Sequence, residues 1–203
     1  MKKEEKVTNK IKLLVLDSVT TAATPAELAY MGRFLGAETV LEGRAICNGP
    51  ASIECEYDEA MALPQVVALA KEAAAEFDGI FIDCFADPGV RAVRANVAKA
   101  GLSERVCAIL SADIPVLALG DHEALVQNLF AQSHLAISEK GTEAIVLGCT
   151  AMIDVAEELE GMLKASGLDV PVLEAGQAAL MMLELQVKMG LKHSRRTYRL
   201  VRS

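Results

Sequence analysis

The sequence predicts an α/β protein of two pseudo-repeated lobes, each a parallel sheet flanked by helices, and three observations lead to that prediction. Short apolar runs without a helical stripe, IKLLVLD at 11–17, GIFIDC at 79–84 and EAIVLGC at 143–149, read as strands buried on both faces. Helix-start and helix-stop signals lie between these runs, so strands alternate with helices. Two of the strands also repeat one another, each closing on a cysteine just ahead of a helix.

The elements follow in order. A charged lead-in, 1–10, precedes the first strand at 11–17. Thr24-Pro25-Ala26-Glu27 supplies an N-cap, a proline at the first helical position and a capping-box glutamate, with Gly36 near the helix end. TVLEGRAI, 39–46, reads as a second strand, and GPASIECEYDE, 49–59, as a loop. From an N-cap at Asp58 a long helix runs through Met61, Val66, Leu69, Ala73 and Phe77 at helical spacing. After the strand at 79–84, Asp87-Pro88 starts a helix that ends near Gly101, and VCAIL, 106–110, is a further short strand. Asp121 opens a helix carrying Leu125, Leu129 and Phe130, and Gly141 stops it before the strand at 143–149. The segment 170–190 closes the pattern with a short strand and a helix on which Met181, Met182 and Met189 read as core; a basic tail ends the chain.

Composition excludes several function classes. The chain has 203 residues, 52% of them hydrophobic, enough for a sizeable core. With 28 acidic residues against 20 basic ones it lacks the basic face that nucleic acid or an anionic membrane requires. No apolar run approaches the ~18 residues of a membrane span, and no apolar signal core follows the lead-in, so a cytoplasmic protein is expected. Five cysteines occur without a C-x-x-C pair or zinc-like Cys/His spacing, so reduced thiols and no metal are expected. No flavin or pyridoxal motif is present, and no cofactor is expected.

The two strand-end cysteines carry the chemistry. FDGIFIDCFAD, 77–87, aligns with TEAIVLGCTAM, 142–152, and the alignment sets Cys84 and Cys149 at the same place, the carboxyl end of a buried strand before a helix. Ligands bind at that edge of open α/β sheets. The amides and positive dipole end of the following helix favour the thiolate, and so a better base and nucleophile. Packing is the plainer account of one such cysteine, since free cysteine behaves as a small hydrophobe; two at matching positions favour function. Thiols facing each other across a cleft between the lobes can take a proton from one face of a carbon acid and deliver one to the other, inverting a stereocentre.

GPASIECEYDEA, DCFADPGV and AIVLGCTAM together resemble the aspartate/glutamate/hydantoin racemase superfamily, most closely its hydantoin and allantoin racemase branch, over roughly 49–97 and 120–185. The resemblance implies a cofactor-independent two-base racemase of two pseudo-symmetric lobes, with Cys84 and Cys149 as catalytic residues. It implies substrate contacts from Phe85 and Thr150 beside them, from Ser18 and Thr20 in the loop after the first strand, and from Ser52 in the GPAS loop. Its lobes map onto 11–97 plus 170–190 and onto 98–169, with tails at 1–10 and 191–203. The expected partners are a small-molecule substrate and further copies of the chain.

Two departures from the family pattern matter. An Asn-Pro-Asn-Thr-like loop is replaced by Asp17-Ser18-Val19-Thr20-Thr21, and an acid there would repel a carboxylate, so a neutral ring fits better. Between Val97 and Ala98 a strand, a helix and a strand of the second lobe are missing, which shortens that lobe and exposes sheet edges. Alternatives are another isomerase or a decarboxylase of the superfamily, or a catalytically impaired paralogue that binds a ligand or a partner subunit. Cys47, Cys55 and Cys107 are assigned to packing, and the three histidines to solvent or local bonds.

Overall fold

A computed structural model describes residues 10–84, 110, 114, 121–149 and 152–191. The expected helix after Asp87, residues 106–109 of the expected strand, Cys107 among them, and the junction at Val97 lie outside the described residues, as do Phe85 and Thr150.

β1 (Ile11–Asp17) is the centre of a three-stranded parallel sheet, with β2 (Thr39–Ala45) on one side and β3 (Gly79–Asp83) on the other. Leu13, Leu14, Val15 and Leu16 are all fully buried, which explains why the run shows no alternation. Its two faces pack differently. Leu14 and Leu16 join Ile46, Ile53, Ala62, Val66, Ala73 and Phe77 under α2 (Glu56–Ala73). Val15 joins Met31, Phe81 and Leu180 under α1 (Pro25–Met31) and the C-terminal helix.

A second parallel pair, β4 (Ile145–Leu147) and β5 (Val172–Glu174), is covered by α3 (His122–Lys140) and α4 (Val155–Ala165). Leu125, Val126, Leu147, Val155, Leu159 and Leu163 form that core. On its other side the pair leaves Val146 and Leu173 exposed. α5 (Ala175–Lys188) starts at the end of β5 and packs on β3 and β1 of the first sheet. Gly79 lets it close in, because a Cβ there would lie 2.9 Å from Leu183 Cδ1 and 3.0 Å from Leu13 Cδ2. No helix among the described residues is long and apolar enough to cross a membrane.

Local signals account for several helix ends. Thr24 and Glu27 form the expected capping box on α1, Asp121 caps α3 through Ala124 N–H at 3.1 Å, and Gly141 ends α3 in the left-handed region at φ 65°. Others differ from expectation. α1 stops at Gly32, and Gly36 instead gives its N–H to Glu184 Oε1 at 2.9 Å in the turn before β2. α2 starts two residues before Asp58, whose carboxylate turns back to Glu54 N–H at 3.1 Å and the Cys55 thiol at 3.3 Å. Cys47 and Cys55 are exposed rather than packed. Met181, Met182 and Met189 face outward, because α5 turns Gln177, Leu180 and Glu184 to the protein. His122 is exposed to solvent, as expected, and also reaches across to Glu158 at 2.7 Å, 36 positions away.

Candidate functional site

The carboxyl edge of the first sheet gathers Cys84, Ser18 and Ser52, three of the seven expected site residues. β1 and β3 end side by side in Asp17 and Asp83, which are register partners. Cys84 follows at once, half-buried, its side chain against the core that holds Leu14, Leu16, Ile46 and Ile53. Its N–H donates to the Ile82 carbonyl at 3.0 Å, so the chain turns as it leaves the strand. β3 therefore ends one residue earlier than the apolar run, and the sulfur stands just past the sheet.

Ser18 and Ser52 reach the same edge. Ser18 is 6% exposed directly after β1, and its neighbour Val19 packs on the core that Cys84 touches. Ser52 is buried beside Ile53 of that core and donates to Glu54 Oε1 at 2.8 Å. Thr20, by contrast, is exposed.

Cys149 occupies the corresponding place in the second sheet, two residues beyond β4 and half-buried. Its carbonyl accepts Met152 N–H at 3.2 Å, which tightens the turn toward α4. Asp154 closes that turn at φ 62°, a left-handed conformation an Asp tolerates better than most side chains. The described cysteines are thiols, and among the described residues no group of three metal-ligating side chains occurs.

Electrostatics single out Asp17. Burial pushes its carboxyl up to about 7, with Asp83 and Glu27 adding to the rise; the Ala23 N–H, 3.0 Å from Oδ2, opposes it. This acid titrates near neutrality at the edge that carries Cys84. Register pairing was not legible in the sequence, although both buried runs visibly close on Asp.

Two more residues escaped the sequence reading. Tyr30 Oη donates to Glu174 Oε1 at 2.6 Å, and burial followed by that bond pushes the phenol up to about 12. Gln177, 8% exposed in the first turn of α5, has an Nε2 with no hydrogen-bond partner. An amide in the first turn of an otherwise apolar helix was the available signal.

The family model described as Asp/Glu/Hydantoin racemase matches residues 91–183. A hydantoin racemase of Rhizobium meliloti is 32% identical over 188 residues, covering 72% of this chain and 76% of the relative. A hydantoin racemase of Pseudomonas sp. (strain NS671) is 27% identical over 232 residues, covering 93% and 91%. That span exceeds the 203 residues of this chain, so the Pseudomonas relative carries residues with no counterpart here. The crystal structure of allantoin racemase from Pseudomonas fluorescens superposes with a TM-score of 0.81 at 22% identity, covering 95% of this chain and 98% of that one, and shares the fold.

Proposed function

Because the chain belongs to the Asp/Glu/hydantoin racemase family, and is therefore an isomerase of the racemase kind, we propose that it inverts the stereocentre of a neutral hydantoin-type ring, allantoin-like rings included, with Cys84 and Cys149 as the two proton-transfer groups. The observation that supports this most directly is the matched setting of the two thiols. Each is half-buried just beyond the carboxyl end of a parallel strand, Cys84 after β3 and Cys149 after β4.

The chemistry balances without a third component. One thiolate takes the proton from the ring carbon, and the electron pair of the broken C–H bond spreads onto the adjacent carbonyl. The opposite thiol then gives its proton to the other face, and the two sulfurs exchange roles for the other enantiomer. Backbone amides beyond the strand ends are the natural donors for the developing oxyanion.

We propose further that the chain works in the cytoplasm, in keeping with its unpaired described cysteines, and as a homo-oligomer, since Tyr57, Met61, Leu63 and Val67 are exposed along α2. A second reading, a weakly active paralogue, draws on the exposed Val146 and Leu173 and on the extra residues of the Pseudomonas relative.

Single enantiomers of a 5-substituted hydantoin in deuterated water decide between them. Deuterium uptake at the stereocentre together with loss of optical rotation is the racemase result. A ligand-induced rise in melting temperature with neither signal would leave only the binding paralogue.

A further inference from the structure

We propose that Tyr30 and Arg33, at one end of α1, are positioning residues for the racemase reaction: they hold the second sheet, and the Cys149 turn with it, at a set angle to the edge that carries Cys84. This rests on the racemase reading above and deepens it by naming what sets one thiol against the other.

α1 touches both sheets' surroundings. Just ahead of it, Ala23 N–H donates to Asp17 Oδ2 at 3.0 Å, and Leu28 and Met31 on the helix pack with Val15 of the first sheet. Its other end reaches the second sheet's elements at two places. Tyr30 Oη donates to Glu174 Oε1 at 2.6 Å, and Arg33, in the turn after the helix, meets Glu157 Oε1 at 3.1 Å. The Arg33 guanidinium also lies 4.0 Å over the Tyr30 ring, so the two side chains brace one another.

Both places bear on Cys149. Glu174 is the last residue of β5, and the next residue begins α5, which packs back on β1 and β3; the chain therefore passes from one sheet to the other beside the Tyr30 hydroxyl. Glu157 lies in the first turn of α4, just past Asp154, which closes the turn from Cys149 at φ 62°. Burial, then the bond to Glu174, pushes the Tyr30 phenol up to about 12; Arg33 opposes the rise and Asp154 adds to it, so Asp154 is within electrostatic reach of the ring. A single tether at the chain crossing would leave rotation about it free. The second, at the head of α4, fixes the angle, and α1, 7 residues and about 10 Å long, is a short, stiff link between them.

On the two-thiol mechanism, inversion needs both sulfurs within reach of one carbon, whereas removal and return of a proton at one face needs one. A misplacement of about an ångström between reacting groups can cost about a hundredfold in rate. Loosening the angle should therefore slow inversion and spare exchange at a single face.

The test incubates the full chain with one enantiomer of a 5-substituted hydantoin in deuterated water and follows two rates above the protein-free background. One is inversion, by optical rotation; the other is deuterium uptake into the enantiomer that has not inverted, by magnetic resonance after chiral separation. Tyr30→Phe combined with Arg33→Ala should slow inversion about tenfold or more and change single-face exchange less than about twofold, so their ratio shifts at least about fivefold. A variant that is merely less folded loses both in proportion. Glu174→Ala should shift the ratio in the same direction, and Glu174→Gln, whose amide oxygen still accepts the phenol, should recover most of that loss.

An unchanged ratio in the double variant overturns the positioning role and leaves the racemase reading intact, and so does a Glu174→Gln no better than Glu174→Ala. A wild type that neither inverts nor exchanges the hydantoin sinks both. If the double variant does not fold, Arg33→Ala alone decides: its ratio must shift the same way, and an unchanged one ends the proposal.

Discussion

Tyr30 on α1 donates its hydroxyl to Glu174 at the end of β5 over 2.6 Å, joining the helix that covers the first sheet to a strand of the second. The guanidinium of Arg33 lies 4.0 Å over the same ring and reaches Glu157 on α4. Tyr30→Phe keeps the ring and its cation contact and removes only the hydroxyl. We expect a loss of about 1–2 kcal/mol of stability, since the carboxylate loses a partly buried donor. Arg33→Ala should cost less through its ion pair with the exposed Glu157, under about 1 kcal/mol. Chemical denaturation of the two single variants and the double variant measures both, and equal losses would contradict the ranking.

Asp17 makes the stability of the fold depend on pH in a direction opposite to most carboxylates. Its folded value, about 7, lies above the ordinary 3.8, so the native state holds a proton that the unfolded chain releases. Stability is therefore greatest below pH 4, as far as this residue is concerned, falls as pH rises toward 7 and is level above that. Asp17→Asn should flatten this slope and be the more stable protein at pH 8, by up to about 2 kcal/mol once partial solvent screening is allowed for. Melting curves across pH 5 to 8 check it, and a wild-type advantage that widens with pH would refute it.

How far the sequence led depends on whether a signal is local. The Thr24 capping box, the Asp121 cap and the Gly141 stop are chemistry among near neighbours, and all three stand as read. Cys84 and Cys149 were legible because a repeat puts them at matching strand ends. Asp58 misled because its carboxylate has two competing local donors, and it chose the backbone behind it over the helix ahead. The methionines of α5 misled because an apolar helix does not reveal which side meets the sheet; the partners of Leu180 and Gln177 decide that. Tyr30 and Glu174 are 144 positions apart, and no pattern in either segment announces the bond.

Glu184 is a second buried acid, with the opposite titration. Burial raises its carboxyl, but the Thr39 hydroxyl, the Gly36 N–H and Lys188 outweigh that and hold it below the usual range. It fastens α5 to the turn before β2. A depressed carboxylate contributes stability above its unfolded value and loses it as pH falls through the folded one, so Glu184→Gln should cost most near neutrality and little in acid. The expected loss at pH 7 is about 1–2 kcal/mol, from the weakened charged hydrogen bonds. A penalty that does not shrink on acidification would show that packing, not charge, is what was lost.

Gly79 tests the close approach of α5 to the sheet. A Cβ at that position meets the tips of Leu183 and Leu13 at 2.9 and 3.0 Å, side-chain atoms rather than backbone. Gly79→Ala should therefore destabilise by about 1–3 kcal/mol through overpacking. Pairing it with Leu183→Ala should recover part of that loss, a coupling that a double-mutant cycle in denaturant measures. Strictly additive losses would mean that the glycine serves the backbone rather than the packing.

The two thiols make the most demanding prediction. Cys84→Ser and Cys149→Ser each replace a half-buried sulfur by a smaller hydroxyl and should shift stability by no more than about 1 kcal/mol. If the two thiols share the proton transfer as proposed, each variant should lose racemisation by at least about a hundredfold. On that mechanism proton removal needs only the thiol on the matching face of the ring. Each variant should then still exchange the ring proton of one enantiomer with deuterated solvent, and the two variants should favour opposite enantiomers. Magnetic resonance of each enantiomer in deuterated water follows this directly. If both variants exchange the same enantiomer, the sulfurs do not serve opposite faces, and the two-thiol mechanism is wrong even though the family assignment stands.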